Sequence, residues 1–377
     1  MSSSASSLTS GAPGSDPPRP GDPVDREFMT RAMAAANEVR CITAPNPWVG
    51  AVIRTADGRN FDGATSEPGG PHAEVSAIRR AGEASRGATL YVTLEPCSHT
   101  GRTGPCVDAI LEAGIARVVV GIEDPDPQVA GSGIARLREA GVDVEVGVQA
   151  AKVSTQLAPY LKHRRTGRPW VVLKLAATLD GGTAAPNGTS QWITSPPARA
   201  DGHRLRAESD AILVGAGTVR RDDPSLTVRD YRPPVMPSSG NVDPVRVVLG
   251  GASPDAKVQP CLQWSGDVEP LLDDLGADGV IQLLVEGGAN VAGHFHRSGL
   301  VDRYVIYLAP ALFGGDDANG LFGNAGAFDI SEVWRGRFVS VERIGDDLRV
   351  ELAPLEPDTV DLSTSSDGAA RPADEES

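Results

Sequence analysis

The sequence predicts an α/β protein with two domains. Apolar segments of strand character alternate with segments whose apolar residues recur at helical spacing, from Asp25 to Gly147 and again from Arg168 onward. Such alternation is typical of a sheet covered by helices. A length of 377 residues exceeds that of an ordinary single domain and allows two cores that need no disulfide bonds.

The first alternating series defines the first domain. Helices are expected in DREFMTRAMAAANEVR, HAEVSAIRRAG, CVDAILEAG and GSGIARLREAG, and strands in VGAVIR, FDGA, ATLYVTLEP, RVVVGIEDP and VDVEVGV. We place this domain at residues 25–149. The Ser-, Gly- and Pro-rich residues 1–24 are expected to be a disordered tail.

A second series follows a polar, helical segment at residues 150–167, which we interpret as a linker. Strands are expected in RPWVVLKLAATLDG, AILVG, VRVVLG, VIQLLVEGG and RYVIYLAP, and helices around PPARADGHRLRAE, DVEPLLDDLG and ANVAGHFHRSG. FVSVERIGDDLRVELAP is typical of an antiparallel hairpin. The second domain is therefore placed at residues 168–355, with a disordered acidic tail at 356–377.

Charge and composition argue against several classes of protein. A net charge of -15 disfavours wrapping nucleic acid or lying on an anionic membrane. No stretch approaches the roughly 18 consecutive apolar residues of a membrane span. The four cysteines form no disulfide framework, and the N-terminal segment lacks the apolar run of a secretory signal. We expect a cytoplasmic protein without a nucleic-acid or membrane partner.

One cluster of residues predicts a zinc site. His72 lies just before a helical segment, and the stretch EPCSHTGRTGPC supplies Cys97 and Cys106. Zinc prefers imidazole nitrogen and thiolate sulfur, and a catalytic site keeps a fourth position open for water. Glu74 lies where it could move protons during hydrolysis of a ring amine. The pattern matches zinc nucleobase deaminases, except that eight residues separate the two cysteines where two are usual.

Two plainer interpretations of this cluster stay open, a structural zinc site and a pair of unrelated surface thiols. A structural site closes its fourth position with a protein ligand, and the nearby candidate is His99, only two residues from Cys97. We favour the catalytic interpretation because Glu74 has the position that an acid–base group requires. His99 and Arg102 are then available for substrate, with Arg102 as a phosphate clamp.

These segments carry a resemblance to a known family. PNPWVGAVI, HAEVSAI, EPCSHTGRTGPC and VVVGIEDPDPQVAGSGIARLREAG resemble the deaminase half of the bifunctional riboflavin-biosynthesis deaminase-reductases, which have the same long cysteine spacing. The resemblance implies a cytidine-deaminase-like three-layer domain acting on 2,5-diamino-6-ribosylamino-4(3H)-pyrimidinone 5′-phosphate. It also implies that Asn46 contacts the pyrimidine, although a turn residue between two prolines is as good an interpretation from the sequence alone.

The resemblance extends to the second domain. LKLAATLDGGTA, SQWITS, AILVGAGTVRRDDPSLTVR and LLVEGGANVAGHF are similar to the family's reductase half, whose fold resembles dihydrofolate reductase. It implies NADPH-dependent reduction of 5-amino-6-(5-phosphoribosylamino)uracil to the ribityl compound, in a homo-oligomer. The residues that it assigns to the substrate are Ser190, Arg206, Leu226, Arg229 and Glu286. Those that it assigns to NADPH are Ala176, Trp192, Thr218, Asp222, Gly287, Gly288, Ala289 and Asn290.

Without the family resemblance, the motifs of the second domain indicate a binding site less specifically. VEGGAN is a strand, two glycines and a helix start, which lets backbone N–H groups approach a phosphate, but a double glycine is more often only a turn. Arg206 and Arg229 suit bidentate phosphate binding, although solvated charge is the plainer interpretation. We add Lys174 as a candidate to polarise the substrate or donate a proton.

One segment of the chain departs from the family pattern, and two other functions are compatible with part of the sequence. Between Val248 and Leu283 the chain is shorter than the family pattern, so we expect a trimmed sheet and a more open NADPH pocket on that side. The rivals are a deaminase of another base, such as a tRNA adenosine, with a degenerate second domain, and a non-catalytic scaffold with structural zinc. The acidic charge and the SQWITS and VEGGAN motifs argue against the deaminase of another base. For the scaffold, Glu74→Gln should leave the function untouched, whereas it should abolish deamination in the bifunctional enzyme.

Overall fold

The computed structural model describes residues 21–99 and 104–355. Within these ranges the chain forms two α/β units, each built on its own sheet. The predictions for most of the N-terminal tail, for Arg102 and for the acidic tail lie outside the described residues.

The first unit follows the predicted alternation of helix and strand. Its elements are α1 (Pro23–Glu38), β1 (Gly50–Arg54), β2 (Asn60–Ala64), α2 (Ala73–Ala81), β3 (Thr89–Leu94), α3 (Cys106–Glu112), β4 (Arg117–Ile122), α4 (Ser132–Glu139) and β5 (Asp143–Val146). The sheet order is β2-β1-β3-β4-β5. β1 runs antiparallel to both neighbours, whereas β3, β4 and β5 are parallel.

Two glycines show that helices cover both faces of this sheet. A Cβ on Gly50 would lie 1.8 Å from the carbonyl oxygen of Ala32, so only glycine lets α1 come this close. Its neighbour Ala51 pairs with Gly63 on the opposite face. A Cβ on Gly63 would lie 2.2 Å from the carbonyl oxygen of Ala73 in α2. The first unit is therefore a three-layer α/β/α domain, as predicted.

The segment interpreted as a linker is packed against the first unit. It forms α5 (Ala150–Gln156) and α6 (Ala158–Thr166). On the sheet side, a Cβ on Gly121 would lie 2.9 Å from the Val153 side chain. The buried side chains that join the first core are Val153, Leu157, Tyr160 and Leu161. Residues 150–167 thus contribute to the core of the first unit.

The second unit contains a longer sheet. Its elements are β6 (Trp170–Thr178), β7 (Gly182–Ala184), α7 (Pro196–Ala207), β8 (Ala211–Gly215), α8 (Ala216–Asp222), β9 (Val245–Leu249), β10 (Leu262–Trp264), α9 (Val268–Ala277), β11 (Gln282–Val285), α10 (Ala289–Arg297), β12 (Arg303–Ala309), β13 (Asn319–Gly320), β14 (Gly336–Ile344) and β15 (Asp347–Pro354). The main sheet has the order β10-β9-β8-β11-β6-β12-β15-β14, and β7 pairs with β13. Across the described residues, no helix combines the length and apolar character that a bilayer crossing requires.

The direction of the strands decides where a ligand can bind in the second unit. The strands β9, β8, β11, β6 and β12 run parallel to one another, so their carboxyl ends share one edge. β14 and β15 form the predicted antiparallel hairpin, which turns at Gly345. In the segment expected to be trimmed, the outer strand β10 is only three residues long. The loops at the shared edge are the natural place for a ligand crevice.

Candidate functional site

Three residues with metal-binding side chains converge in the first unit. His72 precedes α2, Cys97 follows β3, and Cys106 is the first residue of α3. The His72 Nδ1 lies 3.2 Å from the Cys106 Sγ and 3.6 Å from the Cys97 Sγ. The candidate ligand atoms of all three residues lie within 4.8 Å of one another. This geometry places the predicted zinc ligands in one cluster.

The charges of the cluster suit a divalent cation. The hydrogen bond between the two thiols lowers the pKa of Cys97 and raises that of Cys106, so without a cation the pair favours a single negative charge. Zinc binds thiolate and imidazole, and its charge allows both cysteines to ionise. The donor set of one imidazole and two thiols therefore fits zinc, and three protein ligands leave one position for water.

Glu74 lies beside these ligands in the first turn of α2. Its side chain is buried, with 3% of the residue exposed. Burial raises the pKa of its carboxyl to about 7, although the neighbouring His72 acts in the opposite direction. A carboxyl that titrates near neutral pH can both accept and donate a proton. The position and the environment of Glu74 are those of an acid–base group.

The cluster opens into a cavity of about 160 Å³. Asn46 and His99, both predicted to bind substrate, line this cavity together with His72, Glu74 and Cys97. Asn46 lies in a turn, where its backbone N–H donates to the Thr43 carbonyl. It is therefore both a turn residue and a residue that lines the cavity.

Further residues that the sequence did not predict also line the cavity. Asp124 and Asp126 follow β4, and Tyr160 and Arg164 come from α6. Glu95 lies here as well, but its carboxylate accepts backbone N–H groups at the start of α4 and is therefore engaged in capping that helix. The DPDP stretch after a predicted strand could have indicated the two aspartates. No signal in the sequence placed α6 at this cavity.

In the second unit, predicted residues gather at the carboxyl edge of the parallel strands. Glu286 directly follows β11, and Thr218 and Asp222 belong to α8, which follows β8. Ser190 and Trp192 lie in the segment between β7 and α7. Trp192 is 68% exposed, and the Arg199 guanidinium lies 4.6 Å from the centre of its ring. The sheet thus brings Glu286 and the start of α8 to one edge, although they are far apart in the sequence.

The turn between β11 and α10 allows close packing. A Cβ on Gly287 would lie 2.4 Å from a side chain of α10, so a larger residue would force this turn to shift. Gly288 precedes α10, and among the described residues no side chain caps the helix. A Cβ on Gly288 would lie 3.7 Å from the Thr218 Oγ1, which puts α8 beside the start of α10. The N–H groups of the first turn, from Ala289 and Asn290, suit a dinucleotide phosphate.

Arg206 and Glu286 form a bidentate ion pair in the same region. The Arg206 Nε and Nη2 donate to the two Glu286 carboxylate oxygens at 2.7 and 2.8 Å. Burial alone would raise the pKa of Glu286, but the charge and hydrogen bonds of Arg206 lower it to about 2. Arg206 also donates to the Thr227 carbonyl. Its guanidinium is therefore engaged by protein groups and is not a solvated surface charge.

The remaining predicted residues lie on β6 and in the segment after α8. Lys174 lies on β6, where its charge also lowers the pKa of Glu286, and Ala176 lies two residues further on the same face. Leu226 is buried, whereas Arg229 is exposed. The backbone N–H of Arg229 donates to the Nδ1 of His203, a contact that the sequence did not reveal.

The fold and the two sites define a class of protein, a zinc-dependent deaminase joined to a reductase. Residues 23–122 match the family "Cytidine and deoxycytidylate deaminase zinc-binding region", and residues 169–350 match the "RibD C-terminal domain". The riboflavin biosynthesis protein RibD of Escherichia coli K12 is 40% identical over 364 residues, which cover 87% of this chain and 99% of that protein. The chain belongs to the RibD family.

Other relatives support the same family assignment. The riboflavin biosynthesis protein RibD of Mycobacterium tuberculosis H37Rv is 41% identical over 333 residues, covering 86% of this chain and 96% of that protein. The solved structure of Acinetobacter baumannii RibD, form 1, has a TM-score of 0.81 at 36% identity, with 88% of this chain and 99% of that chain covered. A Thermotoga maritima structure has a TM-score of 0.77 at 34% identity and covers 88% of this chain and 99% of its own.

These matches confirm the predicted fold class and the bifunctional enzyme of riboflavin biosynthesis. The protein is a hydrolase and an oxidoreductase with zinc and NADPH as cofactors, and it acts on small molecules. The match of residues 169–350 to the reductase family argues against a degenerate second domain.

Proposed function

We propose that this protein catalyses two successive steps on one pyrimidine ribose phosphate. In the first step, water displaces an amine of 2,5-diamino-6-ribosylamino-4(3H)-pyrimidinone 5′-phosphate, and ammonia leaves. In the second, the ribose of 5-amino-6-(5-phosphoribosylamino)uracil is reduced to a ribityl chain. The supporting observation is the cavity that His72, Cys97 and the buried Glu74 line, beside which Cys106 completes the metal-binding cluster. The Thermotoga maritima relative is described as a diaminohydroxyphosphoribosylaminopyrimidine deaminase and 5-amino-6-(5-phosphoribosylamino)uracil reductase.

The first step needs a nucleophile and two proton transfers. Zinc held by His72, Cys97 and Cys106 would supply a Lewis acid that lowers the pKa of a water molecule. Glu74 takes a proton as water adds to the amine-bearing carbon and delivers it to the adjacent ring nitrogen. It then carries the proton of the new hydroxyl to the departing amine, so ammonia leaves and the carboxylate is regenerated. We assign pyrimidine and phosphate binding in this site to Asn46, His99 and Arg102.

The second step needs a hydride and one proton. NADPH supplies the hydride, so this chain's residues have to align the two reactants. We propose that Lys174 donates the proton, because it lies on β6 beside the Arg206–Glu286 pair. The residues that would hold the substrate are Ser190, Arg206, Leu226, Arg229 and Glu286. Those that would hold NADPH are Ala176, Trp192, Thr218, Asp222, Gly287, Gly288, Ala289 and Asn290.

A pair of assays on the full chain tests this function. With zinc and NADPH present, the protein should consume the diaminopyrimidine phosphate, release ammonia and oxidise NADPH. Glu74→Gln should abolish ammonia release but leave NADPH oxidation intact when the deaminated intermediate is supplied. Wild-type protein that leaves the pyrimidine phosphate unchanged would overturn the proposal.

We also propose that the protein is a cytoplasmic homo-oligomer. All four cysteines are free thiols, which suits a reducing compartment. β14 is the outer strand of the second sheet, and it exposes Phe338 at 71% and Val341 at 57%. An exposed apolar strand at a sheet edge is open to pairing with another chain. A second copy of this chain is the occupant that we propose for that edge.

A further inference from the structure

Tyr160 connects α6 to the deaminase cavity. It is 3% exposed, and its ring packs in the core of the first unit. Its hydroxyl donates to the Asp124 carboxylate, with distances of 3.2 and 3.1 Å to the two oxygens. One turn later, the Arg164 guanidinium lies 5.1 Å from the centre of the Tyr160 ring. All three residues line the cavity that contains Glu74.

The Asp124 carboxylate is held from two sides. Its Oδ1 accepts the backbone N–H of Asp126 at 2.9 Å, in addition to the Tyr160 hydroxyl. The backbone N–H of Asp124 in turn donates to Glu95 at 3.2 Å. An ionised carboxylate offers about four acceptor positions, so these contacts leave acceptor capacity for a ligand in the cavity. Asp124 is thus a fixed acceptor for N–H or O–H groups.

We propose that Tyr160 is a positioning residue of the deaminase site. Its hydroxyl holds the Asp124 carboxylate in the orientation that accepts donors of the aminopyrimidine ribose phosphate. This inference rests on the proposed deaminase function. It extends the first active site beyond residues 25–149, into the helix that was interpreted as a linker.

Other side chains of α6 contact the second unit. Lys162 forms an ion pair with Asp302, and the His163 Nε2 donates to the carbonyl of Gly276 at 2.9 Å. Tyr160 and Arg164 are four residues apart and share one face of α6, whereas Lys162 projects to the other side and His163, three residues after Tyr160, lies at the border of that face. The reductase unit therefore supports the helix that carries Tyr160.

Tyr160→Phe in the full chain removes the hydroxyl and keeps the ring. We expect the deaminase KM for the pyrimidine phosphate to rise about tenfold, the size of effect that one hydrogen bond to a charged group supports. The kcat should change little, because a lost contact that serves ground state and transition state alike appears in KM. Zinc content and NADPH oxidation with the deaminated intermediate should equal those of the wild type.

Tyr91→Phe is the matched control. The Tyr91 hydroxyl donates to Asp25 at 3.0 Å in the same core, and Tyr91 is not among the described residues that line the cavity. This change removes the same kind of bond, so a loss of core stability alone would affect both variants. We expect the KM of Tyr91→Phe to equal that of the wild type.

Three results would overturn the inference. An unchanged KM in Tyr160→Phe, or an equal rise in Tyr91→Phe, contradicts it while leaving the proposed function intact. A wild-type chain that releases no ammonia from the pyrimidine phosphate contradicts the proposed function, and the role of Tyr160 with it.

Discussion

The Arg206 guanidinium donates through Nε and Nη2 to both carboxylate oxygens of Glu286, at the carboxyl edge of the parallel strands in the reductase sheet. Arg206 comes from α7, and Glu286 directly follows β11. Their side chains are only 16% and 10% exposed. Since a buried charge without its partner is costly, each residue requires the other. The pair fixes the position of α7 over the sheet at the place where the substrate is proposed to bind.

Glu286→Gln is expected to destabilise the reductase unit. The substitution leaves the Arg206 charge buried without its counter-ion, which typically costs about 3–5 kcal/mol. Urea unfolding at pH 7 measures the difference in free energy of unfolding. Asp273→Asn is the control, since it breaks an exposed pair with Arg168 and should change little.

The same pair predicts how this difference depends on pH. The folded-state pKa of Glu286, about 2, lies below its ordinary value of 4.5. A lowered pKa gives stability that is fully present above the ordinary pKa and is lost as pH falls toward the folded value. The difference in free energy of unfolding between the wild type and Glu286→Gln should therefore shrink as pH falls from about 4.5 toward 2. A difference that stays constant over this window would contradict the assignment.

Cys106→Ser should remove zinc and deaminase activity together. Three ligands meet in the cluster, and two ligands hold zinc far less tightly. Zinc content of the purified chain and ammonia release are the measurements, and NADPH oxidation with the deaminated intermediate should persist. Cys261→Ser is the control, because Cys261 lies beside β10 in the other unit and should not affect zinc. Full zinc content in Cys106→Ser would show that the metal is held elsewhere.

Gly287→Ala should weaken NADPH binding. Its Cβ would lie 2.4 Å from an α10 side chain, so the turn must move at the proposed phosphate site. We expect the KM for NADPH to rise about tenfold, while ammonia release is unchanged, because a shift of about 1 Å at a binding turn can cost that much or more. Gly326→Ala, at a position with open space around it, is the control. Equal NADPH kinetics in both variants would argue against this turn as the cofactor site.

The variant Phe338→Glu should convert the proposed oligomer to smaller species. Phe338→Glu puts a charge on the exposed edge strand β14, and charge on an edge opposes strand pairing. Light scattering on the wild type and the variant reports the molar mass. Arg79→Glu, at an exposed position of α2 in the first unit, tests whether any new negative charge has this effect. A wild type of one-chain mass would contradict the oligomer itself.

The sequence predicted what local patterns encode. Helix and strand order followed from periodicity, and the spacing of His72, Glu74, Cys97 and Cys106 predicted the metal cluster, since each motif needs only short-range order. The packing of α6 against the first unit could not be predicted from its sequence. Most of its residues are polar or charged, and few are buried, Tyr160 and Leu161 among them. The Arg206–Glu286 pair joins residues 80 positions apart. Such a contact depends on sheet topology, which no local pattern reveals.

The position of α6 limits how the two enzymes could be separated by protein engineering. A cut at the end of the first alternating series would discard Tyr160, and with it a wall of the deaminase cavity. A cut after Thr166 would keep that wall but leave Lys162 and His163 without Asp302 and the Gly276 carbonyl. A stand-alone deaminase made from this chain therefore has to end after α6, with those two positions redesigned for contact with water.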